Sequence, residues 1–228
     1  MQIPREETVK EVAVALVKGA LQATPLVGGL LAEVMNLFVN PAEKRTERWL
    51  AEVLSTIEKL QKELRVVPEV LQNDERFISF LYQATQIALR NHRVEKIRAL
   101  RNALEATAIG NMPEEDIAFQ FLKFIDEFSL MHLRLLDFIN KHAMQGRVTL
   151  EQVLSQFEIY LGASIERAHF RAVIKDLELR SLILAGDVQD LPEFATQQNA
   201  VFTDDFEPKP LCVTSLGQSF LEFIAEGR

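Results

Sequence analysis

The chain has 228 residues, of which 48% are hydrophobic and 25% charged, so it is long enough for one large globular domain or two small ones. Its single cysteine excludes an internal disulfide and indicates a reducing compartment. The N-terminus lacks the pattern of a signal peptide, and the longest uncharged apolar run covers only residues 19–32. Because a membrane-spanning helix needs about 20 apolar residues, we expect a cytoplasmic protein.

The net charge of −8 is unevenly distributed along the chain. Residues 1–110 carry 15 Lys and Arg against 14 Asp and Glu, whereas residues 111–228 carry 10 against 19, a net charge of −9. The change coincides with a turn-like Gly-Asn-Met-Pro cluster at residues 110–113. The sequence therefore predicts two domains, at residues 1–111 and 112–228.

The first of these segments has the apolar spacing of helices throughout. Five helices are predicted: residues 5–22, with apolar residues at three- and four-residue spacing; residues 26–39, apolar nearly all round; a helix opened by the cap at residues 40–43 and running to about Val66; a helix capped by Asn73 and Asp74; and Val94–Ala108. No alternation typical of strands interrupts them. We therefore predict an N-terminal all-α helical bundle over residues 1–111.

Helix start and stop signals continue through the second segment. They are, in chain order, the acidic residues 114–116, Ser129, the capping box Thr149-Leu150-Glu151-Gln152, Gly162 and Ser164. Leu130 to Ala143 is expected to form a helix of its own. From Ser129 onward these signals predict three helices, two short strands and a last helix, which is the order of a winged helix.

Two of these later stretches resemble parts of a winged helix-turn-helix module. Residues 176–183 (DLELRSLI) are similar to the end of a third helix running into the first wing strand. Residues 213–221 (VTSLGQSFL) are similar to the second wing strand entering the closing helix. The resemblance is to bacterial winged-helix regulators and covers roughly residues 129–226. It implies a mostly α fold in which the N-terminal bundle is followed by a winged-helix-like domain with a small β hairpin.

The sequence departs from that pattern in two places. Ser181 stands where a glycine is common. The segment between the two wing strands, residues 186–211, is long and holds six acidic residues against a single lysine, a net charge of −5.

The third helix of the module carries the first candidate interaction face. Arg167, Arg171 and Lys175 follow one another at four-residue spacing, and His169 lies beside them. In a winged helix this element enters the DNA major groove, and the row could contact phosphates. The acidic segment at 186–211 would be repelled by the DNA backbone. We therefore expect the module to contact protein and any DNA binding to be weak and non-specific.

A second cluster of basic residues lies in the first half. It consists of Arg90, Arg93, Lys96, Arg98 and Arg101, with Glu95 as the only acidic residue among them. One interpretation is the solvated face of a helix. The other is a docking patch for the acidic half of the chain or for an acidic partner.

Signals of catalysis are absent from the sequence. The four histidines are scattered, without carboxylates or cysteines at the spacing of metal ligands. The Gly28-Gly29 pair is not followed by the Lys-Ser/Thr of a phosphate-binding loop. The sequence thus predicts no catalytic site, metal or cofactor, and a protein that is not an enzyme.

These observations favour a bacterial-type interaction or regulatory protein that binds a protein partner or self-associates through an acidic winged helix. One alternative is a membrane-active effector that uses the apolar hairpin at residues 12–39. That hairpin is similar in hydropathy alone to the N-terminal segments of abortive-infection domains. Lys18 and Glu33 would each cost about 2.5–3.5 kcal/mol at the centre of a bilayer, so insertion would need a trigger and oligomeric partners. The second alternative is a DNA-binding transcriptional regulator.

Overall fold

The computed structural model describes residues 44–63, 70–71, 73–142, 149–185 and 211–226. Within these ranges 77% of the residues are helical, and two short strands pair in an antiparallel sheet. The expectation of a mostly α fold with a small β component is therefore confirmed, as helices with a two-stranded antiparallel sheet. The predicted helices at residues 5–22 and 26–39, the apolar hairpin at 12–39 and residues 186–210 of the acidic segment lie outside the described residues.

The described elements are, in chain order, α1 (Lys44–Glu63), α2 (Glu75–Arg90), α3 (Val94–Ala108), α4 (Glu115–Glu127), α5 (Leu130–Lys141), α6 (Leu150–Leu161), α7 (Arg167–Leu179), β1 (Ile183–Leu184), β2 (Cys212–Val213) and α8 (Ser215–Ile224). Among these helices, none combines the length and the apolar character that crossing a bilayer requires.

The chain forms two compact units that divide it at a different point from the change in charge. Unit 1 contains the residues up to Glu127 together with residues 223–228, and unit 2 contains Phe128 to Glu222. Helix α4 belongs to unit 1 because it packs on α2 and α3. Charge marks the solvated side of a helix, whereas a compact unit depends on which apolar faces pack together. Independent folding of residues 112–228 stays a prediction.

Unit 1 is built around α2 and α3, each of which packs against both α1 and α4. Trp49 of α1 is fully buried, and its indole N–H donates to the hydroxyl of buried Thr85 at 2.9 Å. This bond lets a large aromatic side chain enter the core without an unsatisfied donor, which would cost about 1–3 kcal/mol. The ring of Phe223 closes the unit, 5.8 Å from Phe80 and 5.7 Å from Phe121 between ring centroids.

Most helix boundaries follow the caps that the sequence indicates. Asp74 accepts the backbone N–H groups of Arg76 and Phe77, Thr149 and Gln152 form a capping box, Ser129 is the N-cap of α5, and Gly162 ends α6 at a φ of 67°. The predicted cap at Ser164 is wrong, because the N-cap of α7 is Glu166. The carboxylate of Glu158 accepts the Ile165 N–H at 2.7 Å, which holds the chain before Glu166 outside the helix.

In unit 2, α7 contacts α5, α6 and β1, and α5 also contacts β2. The rings of Phe157 and Phe170 lie 5.9 Å apart between α6 and α7, and Phe138 of α5 lies 5.2 Å from Phe157. All three side chains are almost completely buried. The buried side of α7 is thus fixed by aromatic packing against α5 and α6.

The turn after α7 is a Schellman motif that uses serine in place of glycine. Ser181 adopts a left-handed conformation with φ of 59°, its N–H donates to the Glu178 carbonyl at 2.8 Å, and the Leu182 N–H donates to the Leu177 carbonyl at 3.0 Å. Leu177 and Leu182, the apolar pair that accompanies such a motif, are both fully buried. The departure at Ser181 therefore falls on a backbone position that favours glycine, at a cost of about 1–2 kcal/mol for a residue with a side chain.

The strands and α8 join this turn through Thr214 and Gly217. Ile183 pairs with Val213 and Leu184 with Cys212, and the Thr214 N–H donates to the Leu182 carbonyl at 3.0 Å. The Thr214 hydroxyl donates to the Ser181 carbonyl at 2.7 Å and accepts the Gly217 N–H at 3.0 Å. A Cβ on Gly217 would overlap the Leu182 carbonyl oxygen and lie 2.6 Å from a Val213 methyl group. We call Ser181, Leu182, Thr214 and Gly217 the junction.

We predict that Gly217→Ala destabilises the protein by about 2 kcal/mol or more, since an added methyl group would push α8 away from the junction. The matched control is Gly162→Ala, where the added Cβ meets no atom within 4 Å and only the left-handed φ opposes it. That control should cost about 1 kcal/mol. Urea denaturation gives both free energies of unfolding. If Gly217→Ala raised stability, as helix propensity alone would require, the close approach at the junction would be refuted.

Candidate functional site

The exposed face of α7 presents all three cations that the sequence singled out. Arg167, Arg171 and Lys175 are exposed, as is His169. The Arg167 guanidinium also lies 2.7 Å from the Glu151 carboxylate at the start of α6, in an exposed ion pair. Such a pair contributes little to stability, so Arg167 can exchange partners at low cost.

The outermost line of this helix holds one lysine among small and apolar residues. With 3.6 residues per turn, the positions opposite the buried Phe170, Val173, Ile174 and Leu177 are Ala168, Ala172, Lys175 and Leu179. All four are exposed, and Leu179 is 75% exposed. We call these four residues the α7 ridge. Arg167 and Arg171 lie along one edge of it.

The charges of α7 oppose the helix dipole. Its first turn holds Arg167 and no acidic residue, although Glu166 stands at the N-cap, and its last turn holds Asp176 and Glu178 and no basic residue. Cations near a helix N-terminus are unfavourable by about 0.3–1 kcal/mol each. Helix stability therefore does not account for this arrangement, in which Arg167 and Arg171 both lie in the N-terminal half of the exposed face.

Three of the five cations in the predicted docking patch form contacts inside unit 1. Arg90 forms an ion pair with Asp126 at 2.7 Å, and the Lys96 ammonium donates to the Asp126 backbone carbonyl at 2.6 Å. Lys96 is only 7% exposed, and burial lowers its pKa, an effect that the nearby Asp126 charge opposes. These contacts fix the end of α4 to the start of α3.

Arg101 is held by acidic residues from two other elements. Its guanidinium lies 3.4 Å from the Glu52 carboxylate of α1 and 3.2 Å from that of Glu226. The adjacent Asn102 donates to the Ile224 carbonyl at 2.9 Å. Arg93 and Arg98 are exposed. The structure thus places the five cations in two groups, of which only Arg93 and Arg98 extend into solvent without a described acidic contact.

A polar cluster that the sequence did not indicate links α5 to α7. The Nδ1 atom of His132 accepts the backbone N–H of Ser129 at 3.2 Å and lies 2.8 Å from its hydroxyl. Because a backbone N–H can only donate, Nδ1 carries no proton, and Nε2–H faces the Asp176 carboxylate at 3.2 Å. The imidazole is stacked on Phe128, with 5.0 Å between ring centroids.

The surroundings of this imidazole oppose its protonation. Burial lowers the pKa of His132, the Asp176 carboxylate acts in the opposite direction, and nearby Arg180 and His169 lower the pKa further. Arg180 lies over the Phe128 ring at 5.2 Å and pairs with Asp176 at 3.0 Å. A proton on Nδ1 would also face the Ser129 N–H, so protonation would break this capping hydrogen bond of α5.

Ser129, His132 and Asp176 are the residue types of a hydrolase triad, but their geometry is that of a cap. The Nδ1 lone pair that would take a proton from the Ser129 hydroxyl already accepts the Ser129 backbone N–H. The ring is also held against Phe128. We assign these residues the structural role of joining the start of α5 to the end of α7.

The described part of the chain holds no cluster of three or more side chains that could bind a metal ion. A surface depression at the start of α2 is lined by Val70, Asn73, Asp74, Glu75 and Arg76, where Asp74 already caps the helix. Comparison of the whole chain with family models, with curated proteins and with solved structures finds no match.

We predict that His132 makes stability depend on pH. Since its pKa is lower in the folded than in the unfolded state, its contribution is present above about pH 6.5 and is lost as the pH falls toward the folded value. His132→Gln preserves a capping side chain but does not titrate, so it should flatten this part of the profile. Urea denaturation from about pH 7.5 to about pH 5.5 measures the effect.

The control for this experiment is His92→Gln, at an exposed position before α3. It should leave the pH profile of the free energy of unfolding unchanged. An identical acid-induced loss of stability in His132→Gln and in the unaltered protein would contradict the assignment.

Proposed function

We propose that unit 2 is a winged-helix-like module that binds another protein, and that the chain is a non-enzymatic interaction or regulatory protein of the bacterial cytoplasm. The order of α5, α6, α7, β1, β2 and α8 supports this proposal, because it is the order of a winged helix. The antiparallel pairing of β1 with β2 and the closure of α8 onto the junction support it as well.

The α7 ridge is the observation that carries the proposal. A protein interface has an apolar centre within a polar and charged rim. Here Ala168, Ala172 and Leu179 form the centre, while Arg167 and Arg171 lie at the edge. The alanine side chain has no hydrogen-bonding group that could read the edge of a base. It can make only apolar contact with the methyl group of thymine.

The rival function, DNA binding, is favoured by one specific observation, which is the exposed row formed by Arg167, Arg171 and Lys175. Such a row could contact phosphates. One feature of the chain favours protein over DNA: its net charge of −8 opposes approach to a polyanion. Phosphate contacts from this row would give affinity without sequence information.

The role of the N-terminal half is proposed as a second module for association with a partner or with another copy of the chain. The described ion pairs of Arg90 and Arg101 join helices of unit 1 and act within that module. The membrane-active alternative rests on residues 12–39, which lie outside the described residues, and it stays a prediction.

Photocrosslinking from α7 tests the proposed function. A photoreactive phenylalanine derivative replaces Ala172 in the full chain, and the same derivative replaces exposed Tyr82 of α2 as the control. In the native cells, we expect a discrete adduct from position 172 that protease removes and nuclease leaves intact. The additional change Lys175→Glu should weaken this adduct. A nuclease-sensitive adduct, or the same products from both positions, would contradict protein binding through α7.

A further inference from the structure

The shape of the α7 ridge indicates what kind of surface it can receive. Ala168, Ala172, Lys175 and Leu179 are spaced by four, three and four residues, which is the spacing of the contact positions between two packed helices. From Ala168 to Leu179 the ridge covers about 16 Å, or three helical turns. Two alanines allow a close approach of backbones at one end, and Leu179 offers a large apolar side chain at the other.

The charge of the α7 face indicates the sign of its partner. Arg167 and Arg171 are exposed along one edge of the ridge in the N-terminal half of α7, nearer the positive end of the helix dipole, and Lys175 is exposed on the ridge itself. Toward the other end, Glu178 is exposed and Asp176 is engaged with Arg180 and His132. A complementary surface would therefore carry carboxylates opposite the N-terminal half of α7.

From these observations we infer that α7 binds an acidic amphipathic helix of a partner protein. Small and apolar residues of that helix pack against the α7 ridge, and its Asp or Glu side chains pair with Arg167, Arg171 and Lys175. The inference rests on the proposed function and adds the chemistry of the partner. A second copy of α7 packed in parallel would bring the same cations together. An antiparallel copy would offer them only the exposed Glu178, because Asp176 is engaged with Arg180 and His132, so the charges favour a different partner over self-association.

The test uses two synthetic helical peptides of about 20 residues with Leu and Ala at the a and d positions of heptads. One carries Glu at the flanking e and g positions, and its twin carries Lys there. Binding to the full chain is measured by fluorescence anisotropy at about 0.15 M salt, where exposed charges act over about 8 Å. We expect the acidic peptide to bind about tenfold or more tightly than its basic twin.

Two charge-reversed proteins identify the surface involved. The double variant Arg171→Glu with Lys175→Glu should bind the acidic peptide about tenfold more weakly than the unaltered protein does, and it should bind the basic twin more tightly. Arg93→Glu with Arg98→Glu makes the same change in net charge at exposed positions of unit 1 and should alter binding by less than about twofold. Circular dichroism melts verify that both double variants are folded. The single change Lys175→Glu should weaken binding of the acidic peptide less than Arg171→Glu with Lys175→Glu does.

Every other result overturns the inference. Equal losses in the two double variants would mean attraction by net charge alone, and a loss confined to Arg93→Glu with Arg98→Glu would assign binding to the basic patch of unit 1. Tighter binding of a mixed-sequence DNA duplex than of the acidic peptide would assign the face to nucleic acid. If the full chain dimerised and Lys175→Glu abolished the dimer, the partner of the α7 ridge would be a second copy of the chain. If neither peptide binds while position 172 still crosslinks to a protein, the proposed function stands and only the inferred chemistry of the partner is wrong.

Discussion

The backbone carbonyl of Leu182 is the point on which the arrangement of unit 2 depends. It accepts the Thr214 N–H at 3.0 Å, lies 3.2 Å from the Thr214 hydroxyl, and has the Cα of Gly217 against it. One peptide group thereby joins the end of α7, the strand pair and the start of α8. Each of these hydrogen bonds contributes about 1 kcal/mol, but a side chain at position 217 would separate all the elements at once.

This constraint matters for function because it determines which side of α7 faces solvent. The Schellman turn at Ser181 ends α7 immediately after Leu179, so the last residue of the ridge lies directly beside the junction. At the other end the Glu158 carboxylate sets the start of the helix. With both ends fixed and four apolar residues buried, the ridge is a preformed surface, and a partner would bind it without ordering the helix first.

Local signals in the sequence predicted local structure well. Val94 to Ala108 forms the helix that its spacing indicates, and the caps at Asp74, Ser129 and Thr149 are confirmed. Each of these depends on residues within four positions of one another. The prediction that Ser164 caps α7 is wrong because the carboxylate of Glu158, seven residues before Ile165, accepts the backbone N–H of Ile165 just before the helix.

The polar partners that define the candidate site could not be predicted in the same way. Arg90 and Lys96 pair with Asp126 across 36 and 30 residues, and Arg101 reaches Glu226 across 125. The sequence shows a run of cations, but only the packing of α3 against α4 reveals which are enclosed. The α7 ridge was missed for a different reason: the charge pattern singles out Arg167, Arg171 and Lys175, whereas the ridge shares only Lys175 with them and otherwise holds two alanines and a leucine.

Native-state amide hydrogen exchange of the full chain tests most directly whether α7 is held as a preformed face by the junction. The amides of Leu182, Thr214 and Gly217 should be protected to the same degree as those in the buried half of α7, because they open with the unit as a whole. Thr214→Val, which removes the hydroxyl but keeps the shape, should lower protection at Leu182 and Gly217 together. Exchange of these three amides at the rate of an open loop, with α7 still protected, would contradict the account.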